Sequence, residues 1–162
     1  MPEGSYLFLK RLSVLALLFA SSAVSAEAKD VALVANKNGT ITSIALADFV
    51  KVCKAQTYRW PDGSPVTLII RDPGAPEMKM VGEKIYGMSP DEMKDLIATA
   101  NHGRTSHPAI MVVNSDEEVI HRVQTAPGMV GLVDVYSITG AVNVVKIGGK
   151  LPLEPGYPLH GN

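Results

Sequence analysis

The stretch that decides the fold is Asn114–Asp134, with the sequence NSDEEVIHRVQTAPGMVGLVD. Residues 115–118, Ser-Asp-Glu-Glu, form a capping box, which predicts that a helix begins here. Its apolar side carries Val119, Ile120 and Val123. Pro127-Gly128 ends this helix, and the run from Met129 to Val133 predicts a strand. A helix that turns directly into an apolar strand is the connection typical of α/β folds.

The rest of the chain repeats this alternation of strands and helices. Apolar runs predict further strands at residues 31–35, 66–70, 109–113 and 142–147. Helical spacing predicts a helix at 46–53, another that ends near Gly87, and a third that begins at the capping box Ser89-Pro90-Asp91-Glu92. We therefore predict an α/β fold whose largely parallel, mixed sheet is covered by helices on both faces.

The two ends of the chain differ from this middle part. Lys10 and Arg11 precede an apolar stretch that closes with small residues, so we expect residues 1–26 to be an export signal cut after Ala26 or Ala28. The alternative, an uncleaved anchor, is less suited to so short an apolar run. We expect residues 27–150 to form one domain with no membrane insertion after cleavage. Residues 151–162 contain three prolines and predict an extended tail on the surface.

Composition and spacing argue against several classes of function. The net charge of −1 gives no basic excess for nucleic acid. Cys53, the only cysteine, lies on the apolar side of the 46–53 helix and is expected to be a buried, unreactive thiol. His102 and His107 lack partners at metal-ligand spacing. Since no motif for a nucleophile, paired carboxylates or a phosphate-cradling loop is present, we expect no catalytic residues, no metal and no cofactor.

Several motifs occur in an order that resembles the phosphate-binding proteins of bacterial ABC transporters. They are WPDGSPV at Trp60–Val66, IYGMSPDEMKDL, HGRTSHPAIMVVNSDEEVIHRV and TAPGMVGLV. Members of that family are two-lobed clamshells that hold phosphate between the lobes, and this chain looks like one lobe of the periplasmic binding protein fold with a short tail. The resemblance implies a periplasmic or secreted protein that binds phosphate or another small oxyanion weakly. It also implies a transporter permease or another envelope protein as a partner.

The resemblance also points to candidate anion-binding residues. The family's ligand turn reads Arg, two variable residues, then Gly-Ser-Gly-Thr, and here the matching stretch is residues 71–77, RDPGAPE. Arg71 and Gly74 remain, but both hydroxyls are lost, Pro76 removes a backbone donor and Glu77 adds negative charge. We expect Arg71, Gly74 and Ala75 to form what remains of the site. The alternative is a surface arginine that pairs with Asp72 or Glu77.

The polar loop His102–His107 offers a second candidate group. Arg104, Thr105 and Ser106 supply a guanidinium and two hydroxyls, and we expect them to form a second wall of the anion site. The alternative is an ordinary solvated loop. Trp60 is expected to anchor its loop on the core rather than to stack on a ligand.

The altered ligand turn keeps a second function open. The chain could be an interaction or sensory accessory protein of the cell envelope that kept the fold and lost the ligand. The proline- and glycine-rich tail would then be a candidate docking segment.

Overall fold

A computed structural model of the chain describes residues 29–161, so the expected signal peptide lies outside the described residues. The strands are β1 (Val31–Asn36), β2 (Ser43–Ile44), β3 (Thr67–Arg71), β4 (Ile110–Val113), β5 (Met129–Asp134), β6 (Val142–Val144) and β7 (Lys146–Ile147). The helices are α1 (Leu46–Cys53), α2 (Lys79–Val81), α3 (Pro90–Asn101) and α4 (Asp116–Val123). A 3-10 turn at Pro76–Met78 precedes α2, and a π-helical turn at Gly82–Tyr86 follows it.

The main sheet has five strands in the order β4-β3-β5-β1-β6 and confirms the mixed α/β prediction. β3 runs parallel to β4 and to β5, whereas β1 runs antiparallel to β5 and to β6. β5 and β6 therefore run in the same direction on either side of β1, and β1 is the one reversed strand of the five. The carboxyl ends of β3, β4 and β5 consequently lie at one end of the sheet, together with the start of β1.

The strand predicted at residues 142–147 is wrong as a single element. β6 pairs with β1, and the amide of Val145 still donates to the carbonyl of Leu33 at 2.8 Å. From Lys146 the chain instead pairs in parallel with β2, whose two residues are too few to be recognised in the sequence. A small second sheet therefore extends the structure beside the first.

The predicted helix starts are present, with two differences in detail. Ser89 and Glu92 make the full capping box of α3. At α4 the hydroxyl of Ser115 accepts from the amide of Glu118, but the Glu118 carboxylate accepts from Asn114 instead of Ser115. In α1 the first-turn residue Leu46 faces outward, although it lies three residues before the buried Phe49. The α1 core contacts come from Phe49, Val52 and Cys53.

Helices cover both faces of the sheet, as predicted. α1, α3 and the helical stretch 76–86 pack on one face, and α4 packs on the other. A Cβ at Gly131 in β5 would lie 2.3 Å from Cγ1 of Val119 in α4, so only glycine allows this close approach. The packing of α4 on the sheet thus requires a residue without a side chain at position 131.

Two motifs that carried the resemblance pack against each other. The indole nitrogen of Trp60 donates to the carbonyl of Gly128 at 2.8 Å, and Trp60 is buried in the core. A Cβ at Gly128 would lie 2.2 Å from the carbonyl oxygen of Pro65. The prediction that Trp60 anchors its loop is confirmed.

The tail was expected to lie on the surface, and this expectation is wrong. Tyr157 and Leu159 are buried in the main core, and the Tyr157 hydroxyl donates to the carbonyl of Val31 at 2.8 Å. The buried carboxylate of Asp30 accepts from the amides of Leu153 and Gly161, and it lies 2.7 Å from Nδ1 of His160. The tail runs through successive turns, in which the amides of Glu154 and Tyr157 donate to carbonyls three residues earlier, and it closes the core around the first strand.

Cys53 is buried, as predicted, and burial raises the pKa of its thiol far above the ordinary value. Such a thiol stays protonated and is a poor nucleophile.

Within residues 29–161, no helix is both long and apolar enough to cross a membrane.

Candidate functional site

Arg71 lies at the carboxyl end of β3, where open α/β sheets commonly place ligands. Its Nη1 donates to Oδ1 of Asp116 at 3.2 Å, and the two side chains are only 21% and 11% exposed. Asp116 also accepts from the amide of Asp134 at 3.1 Å. The partner of Arg71 is therefore the first residue of α4, not Asp72 or Glu77 as the surface alternative required.

The backbone donors of the Arg71 turn are occupied as well. The amide of Gly74 donates to the Asp72 carboxylate at 2.7 Å, and the amide of Ala75 donates to the Asp72 carbonyl at 2.8 Å. Pro76 has no amide hydrogen. Nε of Arg71 is buried and has no hydrogen-bond partner among the described residues.

The charges around this turn oppose a small anion. Asp72, Glu77 and Asp116 all lie on or beside it, and Lys94 approaches Asp72 at only 4.0 Å with both side chains about half exposed. The Asp72 and Asp116 carboxylates hold donors that a phosphate would otherwise use. Arg71 thus acts in this structure as part of an internal ion pair.

Arg104, Thr105 and Ser106 lie at the opposite end of the sheet from Arg71. Their loop precedes β4, which runs parallel to β3, and the hydroxyl of Thr67 at the start of β3 donates to the carbonyl of Pro108. The length of β3, at about 3.3 Å per residue, separates this loop from Arg71 by more than 10 Å. The Arg71 turn follows β3, and the loop with Arg104, Thr105 and Ser106 precedes β4. Because β3 and β4 are parallel, these two segments lie at opposite ends of the sheet and do not form opposite walls of one site.

The guanidinium of Arg104 stacks on the ring of Tyr58 at 4.2 Å. Among the described residues, no carboxylate pairs with Arg104, and no hydrogen bond engages its side chain or the hydroxyls of Thr105 and Ser106. Tyr58 is itself 57% exposed. This end of the sheet therefore presents a positioned cation with free donors.

Two open cavities adjoin the Arg104–Tyr58 stack. One of about 510 Å³ we call the hydroxyl basin, and its lining residues are Tyr58, Arg59, Pro65, Gly103, Arg104, Thr105, Ser106 and His107. The other, of about 540 Å³, we call the lysine basin, and its lining residues are Lys54, Ala55, Tyr58, Asp95, Leu96, Thr99, Ala100, His102 and Arg104. The hydroxyl basin has no acidic lining residue, whereas the lysine basin has one.

Arg59 and Tyr58 were missed from the sequence, although a signal for them exists. They lie in the connection from α1 to β3, and such a connection reaches the amino end of a parallel strand, as the loop before β4 also does.

Asp62 fixes this connection, since its carboxylate accepts from the hydroxyl and amide of Ser64 and from Thr40. The Ser64 hydroxyl, as the main cause, lowers the pKa of Asp62, so the loop is held by an ionised carboxylate.

The described residues contain no group of three or more His, Cys, Asp or Glu side chains placed to hold a metal ion. His102 and His107 line different cavities, one on each side of Arg104. The side chains of Arg104, Thr105 and Ser106 supply electrostatic attraction and hydrogen bonding at this end of the sheet.

Comparison with solved structures identifies the class of fold. An ABC-type phosphate transport receptor from Vibrio cholerae matches with a TM-score of 0.66 at 15% identity, over 82% of this chain and 54% of that chain. PstS from Borrelia burgdorferi matches with a TM-score of 0.61 at 16% identity, over 83% and 55%. A putative phosphate ABC transporter substrate-binding protein with bound phosphate, from Clostridium perfringens, gives 0.59 at 16% identity, over 75% and 46%. The chain has the α/β fold of a periplasmic binding protein lobe.

The chain spans about half the length of these solved structures. No family model matches its sequence, and no curated protein does. The resemblance to phosphate-binding proteins of ABC transporters, suggested by the motifs, is thus confirmed at the level of the fold.

Proposed function

We propose that this chain is a non-enzymatic, substrate-binding-protein-like domain that binds phosphate or another small oxyanion weakly in the hydroxyl basin. The observation that carries the proposal is the difference between its two candidate arginines. Arg71 forms an ion pair with Asp116, whereas Arg104 has no acidic partner among the described residues and stacks on the ring of Tyr58. An arginine with free donors beside two hydroxyls suits an oxyanion, because charged hydrogen bonds to guanidinium are the strong ones.

The expected affinity is low. Ligand sites that bind tightly bury most of the ligand, and a single lobe offers only an open cavity. Binding also costs the ligand its translational and rotational freedom, and the hydrogen bonds of an exposed site offset little more than this cost. We therefore expect a dissociation constant on the order of millimolar. The names of the matching structures, which refer to phosphate, make phosphate the first ligand to test.

Calorimetric titration with phosphate tests this proposal. The wild-type chain should release measurable heat in the millimolar range, and Arg104→Ala should abolish it because the cation is lost. Arg122→Ala is the matched control, since it removes one positive charge from an exposed position in α4 that lines neither cavity. No heat from the wild-type chain, or equal loss in both variants, would refute the proposal.

A second candidate function, an accessory protein of the envelope, is favoured by a different observation. Tyr136 and Leu153 are strongly exposed, and both lie near Asp30 and Asp134 at the Arg71 end of the sheet. A surface there could dock another envelope protein, such as a transporter permease. Cross-linking from position 136 in envelope vesicles tests this, and a failure to recover any cross-linked partner would count against it.

Both candidate functions assume export to the periplasm or secretion. The basis is the apolar stretch of residues 12–20 behind Lys10 and Arg11. Mass spectrometry of the protein recovered from its producing cells should give a chain that begins at Glu27 or Lys29. A full-length mass would remove this part of the proposal.

A further inference from the structure

The two basins share Tyr58 and Arg104, so the stacked pair forms a ridge between them. Lys54 lies in the lysine basin and Arg59 in the hydroxyl basin. Three permanent cations therefore lie along one continuous surface, against a single acidic lining residue, Asp95. This distribution of charge exceeds what one small oxyanion requires.

The size of the surface points in the same direction. Each basin has a volume of about 500 Å³ or more, which lies in the range that accommodates an organic ligand of ordinary size. A single phosphate in contact with Arg104, Thr105 and Ser106 would leave the lysine basin unused. A longer anion could cross the ridge and contact Lys54 as well.

We infer that the preferred ligand of this surface is an extended anion with two or more linked phosphate groups, such as a linear polyphosphate, lying across the Arg104–Tyr58 ridge. This inference rests on the proposed function, because it uses the same hydroxyl basin. One phosphate group lies against Arg104, Thr105 and Ser106. The next groups along the chain reach Lys54, which a single phosphate does not contact.

The magnitude follows from the exposure of these cations. An exposed ion pair contributes about 0.2–1 kcal/mol, which corresponds to roughly 1.5- to 5-fold in affinity for each added cation. With Lys54 added on one side and Arg59 engaged on the other, tripolyphosphate should bind roughly 2- to 25-fold more tightly than orthophosphate. Diphosphate should fall between the two.

The experiment is calorimetry with orthophosphate, diphosphate and tripolyphosphate on the full chain, in buffer without divalent cations. Lys54→Ala should weaken tripolyphosphate binding by roughly 1.5- to 5-fold and leave orthophosphate binding unchanged. Arg122→Ala controls for the general effect of losing one positive charge, and it should change neither affinity. Thermal unfolding of each variant confirms that the fold is intact.

The outcomes separate this inference from the proposed function. If orthophosphate binds through Arg104 but tripolyphosphate binds no more tightly, the inference is overturned and the proposed function stands. If Lys54→Ala and Arg122→Ala weaken tripolyphosphate equally, the gain is a general charge effect, which also overturns the inference. If neither anion binds, both fail.

Discussion

The two candidate arginines should respond to mutation in opposite ways. Two unit charges about 4 Å apart attract by about 4 kcal/mol at an effective dielectric constant of 20. Because both partners in the Arg71–Asp116 pair are largely buried, much of this is offset by lost hydration, and we expect a net coupling of about 1–2 kcal/mol. Arg71→Ala should cost more, about 2–3 kcal/mol, since the Asp116 carboxylate then keeps only the amide of Asp134.

Arg104→Ala should cost only about 0.5–1 kcal/mol, the value of an exposed cation–π contact. Arg122→Ala, which breaks an exposed pair at 3.8 Å, should cost about 0.5 kcal/mol or less. Urea unfolding of the three variants measures these differences. With a slope of about 2 kcal/mol per molar, Arg71→Ala should lower the midpoint by about 1–1.5 M.

The double variant Arg71→Ala/Asp116→Ala completes the test. It should be more stable than the sum of the two single losses predicts, because no uncompensated carboxylate remains. Phosphate calorimetry on the same samples should show binding lost in Arg104→Ala and retained in folded Arg71→Ala. The reasoning would be refuted if Arg71→Ala unfolded like the wild type and lost phosphate binding while Arg104→Ala kept it.

Three further predictions concern the scaffold. Gly131→Ala should destabilise by about 1–3 kcal/mol in urea unfolding because its Cβ would overlap Val119, whereas Gly140→Ala, which has open space around it, should change stability by no more than about 0.5 kcal/mol. Leu159→Ala should destabilise by about 2–4 kcal/mol, and near-wild-type unfolding would show that the tail is dispensable. Since hydrogen bonds lower the folded-state pKa of Asp62, its contribution is present above the ordinary pKa of 3.8 and is lost as pH falls through the folded value. Wild type should therefore be more stable than Asp62→Asn at pH 7 and equal to it in strong acid, and a gap that persists in acid would contradict this.

Local signals in the sequence predicted most of the elements. The caps at Ser89 and Ser115 act on amides three residues away, so they could be recognised without the fold. Buried β1 and β5 were evident as apolar runs. The pairing of β2 with β7 was not predictable, because it joins two-residue segments about a hundred positions apart.

The candidate site was harder to predict, for the same reason of distance. Asp116, the partner of Arg71, lies 45 positions away and approaches it only because β3 and β4 are parallel neighbours. The same parallel pairing places Arg104 at the opposite end of the sheet from Arg71, because the loop of Arg104 leads into β4 whereas Arg71 is the last residue of β3. The order of strands and loops thus indicates the end of the sheet at which each loop lies. The contact between Arg104 and Tyr58 is evident only in the structure.

The closure of Asp30 by residues 153–161 has a consequence for how the chain matures. β1 lies between β5 and β6, and both of these neighbours are synthesised much later than β1. Its first amide, that of Val31, finds its acceptor only in Leu159. A partly synthesised chain therefore cannot complete its central layer. For a polypeptide that has to thread through a narrow translocation channel, as residues 1–26 predict, this arrangement postpones compaction until Leu159 has emerged.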